Sequence, residues 1–128
     1  MKARLFLLAH GRSGDKGDIA NIGVIARRDE WYTFLRDELT AERVADYLAP
    51  LADGPVERYE LDNLTALNFM VHAALGGGGS VSLRLDAQGK TYAPALFRMV
   101  LELPESIADQ VKAHWGKSLP VSCVVDEQ

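Results

Sequence analysis

The segment His10-Gly11-Arg12-Ser13-Gly14-Asp15-Lys16-Gly17-Asp18 packs three glycines, a serine and four charged residues into nine positions. Glycine permits turns that aim successive backbone N–H groups at one point, and Arg12 and Lys16 add full positive charge, so the composition suits capture of an anion. Ser13 can donate a further hydrogen bond to the same ligand. The pattern is not a P-loop, which needs Gly-Lys followed by Ser or Thr, because Lys16 stands between Asp15 and Gly17. Asp15 and Asp18 repel a phosphate unless paired with the two cations, and the same residues also fit a solvated turn held by surface ion pairs. Asp15, Asp18 and Asn21 offer oxygens that suit a hard cation, but the spacing lacks the remainder of an EF-hand, and no metal site is assigned.

Of the three histidines, His10 is the one expected to act as a general base, since it leads from an apolar run into the polar segment. Asp15 is the second candidate for moving a proton. His72 lies on an apolar stretch and His114 in helical sequence, and they read as a core-edge and a surface residue. Ser13 is near His10, but G-x-S-x-G is absent and no Ser-His-Asp triad is assigned. Asn21 and Asn68 interrupt apolar segments, where a buried amide without partners costs about 1–3 kcal/mol. Each is therefore expected to be hydrogen-bonded, either tying loop backbone to the core or orienting a ligand's carbonyl or carboxylate. The glycines at 76–79, with Gly77 and Gly78 at the centre, allow close approach of a ligand, although no G-x-G-x-x-G opens a helix.

These residues need a scaffold. Residues 5–9 are apolar on both alternating faces, which predicts a central strand, and the polar segment 10–18 then reads as a loop. Residues 19–26 predict a second strand. Asp29 can cap a helix carrying Trp31, Phe34, Leu35 and Leu39, and Thr40 a second one with Val44, Tyr47, Leu48 and Leu51 on one face. Residues 56–61 alternate as a half-buried strand. Residues 64–75 satisfy both periods; helix is preferred, with Asn63 or Thr65 as cap and Gly76 as terminator. A hairpin follows, with strands at 81–85 and 97–103 and a turn at 86–90, framed by Arg84, Asp86 and Lys90. Pro94 forces the start of the return strand to an edge or bulge. A helix with Ile107, Val111 and Trp115 and an alternating tail at Val121, Cys123 and Val125 complete the chain. This mixed order argues for an α+β fold with one mainly antiparallel sheet and helices packed on one face.

At 128 residues the chain is expected to be one domain, with 105–128 as a C-terminal extension of the unit formed by 1–104. A net charge of −4 without long runs argues against nucleic acid or an anionic membrane as partner. The longest apolar run falls far short of the roughly 20 residues of a membrane span, and the N-terminus lacks a signal peptide's features, so a cytoplasmic location is expected. The single cysteine, Cys123, excludes an intramolecular disulfide and a multi-thiolate zinc site.

Several motifs in one order add to this reading: S-G-D-K-G at Ser13 to Gly17, Asn21-Ile22-Gly23, Y-E-L at Tyr59 to Leu61, A-L-N-F at Ala66 to Phe69, A-L-G-G-G-G at Ala74 to Gly79, and S-L-R-L-D-A-Q-G-K at Ser82 to Lys90. Together they resemble the ferredoxin-like domain of the acyclic terpene utilisation (AtuA) family, over roughly residues 5–103. The resemblance implies a ferredoxin-like fold and carries family positions onto Ser13, Gly14, Asp15, Lys16, Gly17, Asn21, Gly23, Asn68, Gly76 to Gly79 (Gly77 and Gly78 among them), Arg84, Asp86, Gly89 and Lys90. It also implies a stand-alone small chain, homo-oligomeric or working with a separately encoded AtuA-type large subunit. The implied role is action on an acyl-CoA or related carboxylate in terpene or branched-acid catabolism. Arg12 and Lys16 are then expected to bind the anionic group, His10 or Asp15 to handle a proton, and Asn21 and Asn68 to orient. No cofactor is expected, with a coenzyme A thioester entering as substrate. The contrasting reading is a non-catalytic structural or oligomerisation module.

Overall fold

The computed structural model describes residues 1–16, 19–49, 52, 54–72 and 94–125. The fold is α+β, with antiparallel strands throughout the described residues. Among the described residues the strands fall into two sheets, where one was expected. Strand β1 (Lys2–Arg4) lies between β6 (Val100–Glu102) and β7 (Val124–Val125), while β2 (Ala9–Lys16), β3 (Ile19–Ala26), β5 (Ala66–His72) and β4 (Val56–Leu61) make a four-stranded sheet in that spatial order.

The apolar run at 5–9 is the reason for the split. Its first residues, Leu5–Leu7, form a 3₁₀ turn and not a strand, with Phe6 left exposed. Leu5, Leu7 and Leu8 are fully buried, and the Leu8 N–H donates to the Leu5 carbonyl at 2.9 Å. The turn carries the chain through the core from one sheet to the other.

The polar segment after it is a strand. Residues 9–16 pair with 26–19 along their whole length, because ladder hydrogen bonds use the backbone and a strand at the sheet's described margin accommodates polar side chains. Gly11 is required there: a Cβ would stand 1.8 Å from the Gly23 carbonyl oxygen and 3.2 Å from Cζ of Phe97.

Residues 66–72 also form a strand where helix was expected. Thr65 adopts a left-handed φ of 46° that ends the 3₁₀ turn Asp62–Leu64 and redirects the chain into β5. Leu67, Phe69 and Val71 then bury one face between β3 and β4, so sheet pairing decides a sequence whose periodicity was ambiguous.

Helix α1 (Tyr32–Glu38) follows a 3₁₀ turn at Asp29–Trp31, and Asp29 does not cap it; its carboxylate instead accepts from Thr65 Oγ1 at 3.3 Å. Tyr32 docks α1 by donating to Asp62 at 2.6 Å, and burial together with that carboxylate pushes its phenol up to about 12. Thr40 caps α2 (Ala41–Leu48) as expected, accepting from the Arg43 N–H at 3.1 Å, a bond worth about 1 kcal/mol.

The anticipated strand 97–103 shortens to β6, since 94–97 form a helical turn, α3, that buries Leu96 and Phe97. Helix α4 (Glu105–Trp115) comes next, and Ala108, Val111 and Cys123 join the same buried cluster as both sheets. The anticipated strand 81–85 and turn 86–90 lie outside the described residues. Among the described residues, no helix is long and apolar enough to cross a membrane.

Candidate functional site

A groove of about 790 Å³ opens between the first half of β2, the segment around β1, α3 and the C-terminal tail. Phe6, Pro94 and Phe97 make its apolar lining, and Arg4, His10, Ser13 and Arg98 supply polar groups. Among the described residues no aspartate or glutamate lines it. Ser122 and Cys123 close the side formed by the tail.

Arg4 is held in place by carbonyl groups. Its Nη1 donates to the Arg98 carbonyl at 2.8 Å and its Nε to the Ser122 carbonyl at 3.4 Å. A planar guanidinium carries five N–H donors, so these two bonds fix its plane and leave donors over. Behind the groove, Arg27 lies over the rings of Phe6 and Trp115, 4.7 and 5.1 Å from their centroids, and its Nε donates to the Phe6 carbonyl at 2.9 Å. Burial lowers the Arg27 pKa, while nearby Cys123 works in the opposite direction. The Phe6 and Trp115 rings are themselves 5.9 Å apart.

The charge arrangement separates this region from the rest. Arg28, Arg36, Arg43 and Arg58 each have a carboxylate within ion-pair distance. Arg4, Arg27 and Arg98 have none among the described residues, although the chain as a whole carries a net charge of −4.

The candidate residues read from the sequence divide between this groove and the outer face of the four-stranded sheet. His10 and Ser13 line the groove. Ser13, Asn21 and Asn68 meet around a second depression of about 530 Å³, with Gly14, Gly23 and Ile25. Neither amide is buried, contrary to the expectation from their apolar neighbours: Asn21 is exposed and Asn68 half-buried. The alternation of β3 and β5 sends Ile22 and Phe69 to the core and turns Asn21 and Asn68 outward. The backbone register sets Arg12 opposite Gly23, Asp15 opposite Ala20 and Lys16 opposite Ile19. Gly77, Gly78 and Arg84 lie outside the described residues. Arg4 and Arg98 were not anticipated. The available signal was a lone cation inside each of two otherwise apolar runs, 3–9 and 95–101.

On the same outer face, Glu57 contacts His72 Nε2 and accepts from the Tyr59 hydroxyl at 3.0 Å. The bond to His72, and then that to Tyr59, lowers the Glu57 pKa, while the Tyr59 phenol is raised by the carboxylate.

Residues 3–102 match the AtuA ferredoxin-like domain family. The chain belongs to this family. No curated protein and no solved structure matches it. The AtuA ferredoxin-like match takes in Arg4, Phe6, His10, Ser13 and Arg98 of the groove, together with Asn21 and Asn68, and ends before α4, Ser122 and Cys123.

Proposed function

We propose that this AtuA ferredoxin-like chain binds an amphipathic carboxylate or its coenzyme A thioester in the groove, as the small subunit of an AtuA-type protein in terpene or branched-acid catabolism. One observation carries the reading: among the described residues, the arginines without a carboxylate partner, Arg4, Arg27 and Arg98, gather at or behind an apolar-lined groove in an acidic chain. An apolar lining with a few convergent polar groups is what a small ligand needs, and a guanidinium binds a carboxylate through charge-assisted hydrogen bonds. Arg4 and Arg98 receive the anionic group, Phe6 and Phe97 the apolar body, and His10, which lines the groove, exchanges a proton with the bound molecule. Arg12, Asp15 and Lys16 follow His10 along β2, and Asn21 and Asn68 are polar groups on the neighbouring strands β3 and β5.

Calorimetry with octanoate and octanoyl-coenzyme A tests the reading. Arg4→Met is expected to weaken both by about 10- to 100-fold, the scale of one or two charge-assisted hydrogen bonds. Absence of binding by the native chain at millimolar ligand, or equal affinity in Arg4→Met, overturns it. Turnover of the thioester, by the chain alone or with a large subunit, and its loss in His10→Gln, tests the catalytic part.

A second reading is supported by the outer sheet face, where Ile25, Tyr59 and Leu61 are 37%, 48% and 41% exposed. Such a face suits contact with a second copy or a large subunit. Light scattering that returns a monomer, together with a pull-down that captures no partner, removes this reading.

A further inference from the structure

The wall formed by Ser122 and Cys123 belongs to the stretch that follows the family match, which ends at residue 102. That stretch is built into the molecule. Strand β7 pairs with β1 on the flank opposite β6, Trp115 Nε1 donates to the Leu7 carbonyl at 3.0 Å, and Trp31 Nε1 donates to Gln110 at 2.7 Å. The Cys123 N–H is itself held by the Pro120 carbonyl at 3.0 Å, so the wall has a fixed backbone. One of the two carbonyls that orient Arg4 comes from the family-matched part, at Arg98, and the other from the tail, at Ser122.

Resting on the groove reading above, we infer that the C-terminal segment is the specificity element of this chain. It positions the Arg4 anchor through the Ser122 carbonyl and bounds, with Ser122 and Cys123, the size of the apolar body admitted beside it. The family-matched part supplies the remaining lining, Phe6, His10, Phe97 and Arg98, whereas residues outside that match decide which carboxylates fit.

Cys123 provides a direct readout because it is the chain's only thiol, is buried to 9% exposure and lines the groove. Alkylation by iodoacetamide is followed in the full chain with and without octanoate. At a ligand concentration ten times Kd the labelling rate is expected to fall by about tenfold, by mass action. In parallel, calorimetry compares butyrate and octanoate in the native chain and in Ser122→Trp. Burial favours octanoate by about fourfold per methylene, and narrowing the wall is expected to cut that advantage by about tenfold. If octanoate binds but labelling is unchanged, the ligand does not lie on the tail wall and the inference falls while the groove reading stands. An unchanged butyrate-to-octanoate ratio in a folded Ser122→Trp refutes it as well. If the native chain binds neither carboxylate, both readings fall together. Should Ser122→Trp not fold, the labelling experiment decides alone.

Discussion

The two flanks of this molecule use arginine in opposite ways. Around α1, α2 and β4, Arg36, Arg43 and Arg58 are matched to Asp37, Glu38 and Glu60, and Arg58 also donates to the carbonyls of Arg36 and, at 3.0 Å, Leu39. There the guanidinium is a fastener, satisfying helix-end carbonyls that have no intrahelical partner. At the groove, Arg4 and Arg27 also hold carbonyls, but no carboxylate neutralises them among the described residues. An acidic chain has carboxylates available, so their exclusion, among the described residues, from one apolar-lined concavity separates a binding surface from a structural joint.

The comparison breaks first if the groove's backing is less firm than the contacts suggest. Trp115→Ala removes the ring that Arg27 covers, its contact with Phe6 and the bond to the Leu7 carbonyl, and is expected to cost about 3 kcal/mol in urea denaturation. A loss below about 1 kcal/mol would show that the tail is held by other means. Gly11→Val comes next. Its Cβ must displace the Gly23 carbonyl, and a loss of about 1–3 kcal/mol is expected, together with loss of carboxylate binding because β2 and Phe97 both line the site.

The most direct contrast sets one arginine against another. Arg58→Met, at a side chain only 19% exposed, strands two carbonyls and Glu60 and is expected to cost about 1–2 kcal/mol with ligand affinity intact. Arg98→Met, on an exposed residue without a carboxylate partner among the described residues, is expected to leave stability within about 0.5 kcal/mol and to weaken carboxylate binding. The reverse outcome would make the groove arginines ordinary scaffold.

How far the sequence exposes all this depends on what each residue answers to. The Thr40 cap follows a local capping rule, and the helices at 32–38, 41–48 and 105–115 and strand β4 follow periodicity and stand where it puts them. The α+β class and the family were also legible, the latter from several short motifs in order. The errors arose where tertiary pairing overrode local character. Residues 5–7 are apolar because a turn crosses the core, residues 9–16 are polar yet laddered to β3, and residues 66–72 become a strand between two others. The site suffered in the same way. Arg4 and Arg98 gain significance only when β1, α3 and the tail converge, a juxtaposition spanning more than a hundred positions that no local pattern encodes.

The smallest expected effect concerns the outer face, where Glu57, His72 and Tyr59 form a hydrogen-bonded group that the groove reading does not use. The Glu57 carboxyl lies below its ordinary value of 4.5 in the folded chain, first because of His72 and then Tyr59. A carboxyl lowered on folding adds stability above its unfolded pKa and loses it as the pH falls through the folded one. The contribution is therefore present at pH 7 and disappears in the acid range below about 4.5. Because the carboxylate is solvent-exposed, screening keeps the effect small. Melting temperatures of the native chain and of Glu57→Gln are expected to differ slightly at pH 7 and to converge in acid, while octanoate affinity at pH 7 stays the same in both. A gap that persists unchanged at low pH would mean that Glu57 acts through packing rather than charge. Altered octanoate affinity would join the outer face to the groove and remove the separation between the two.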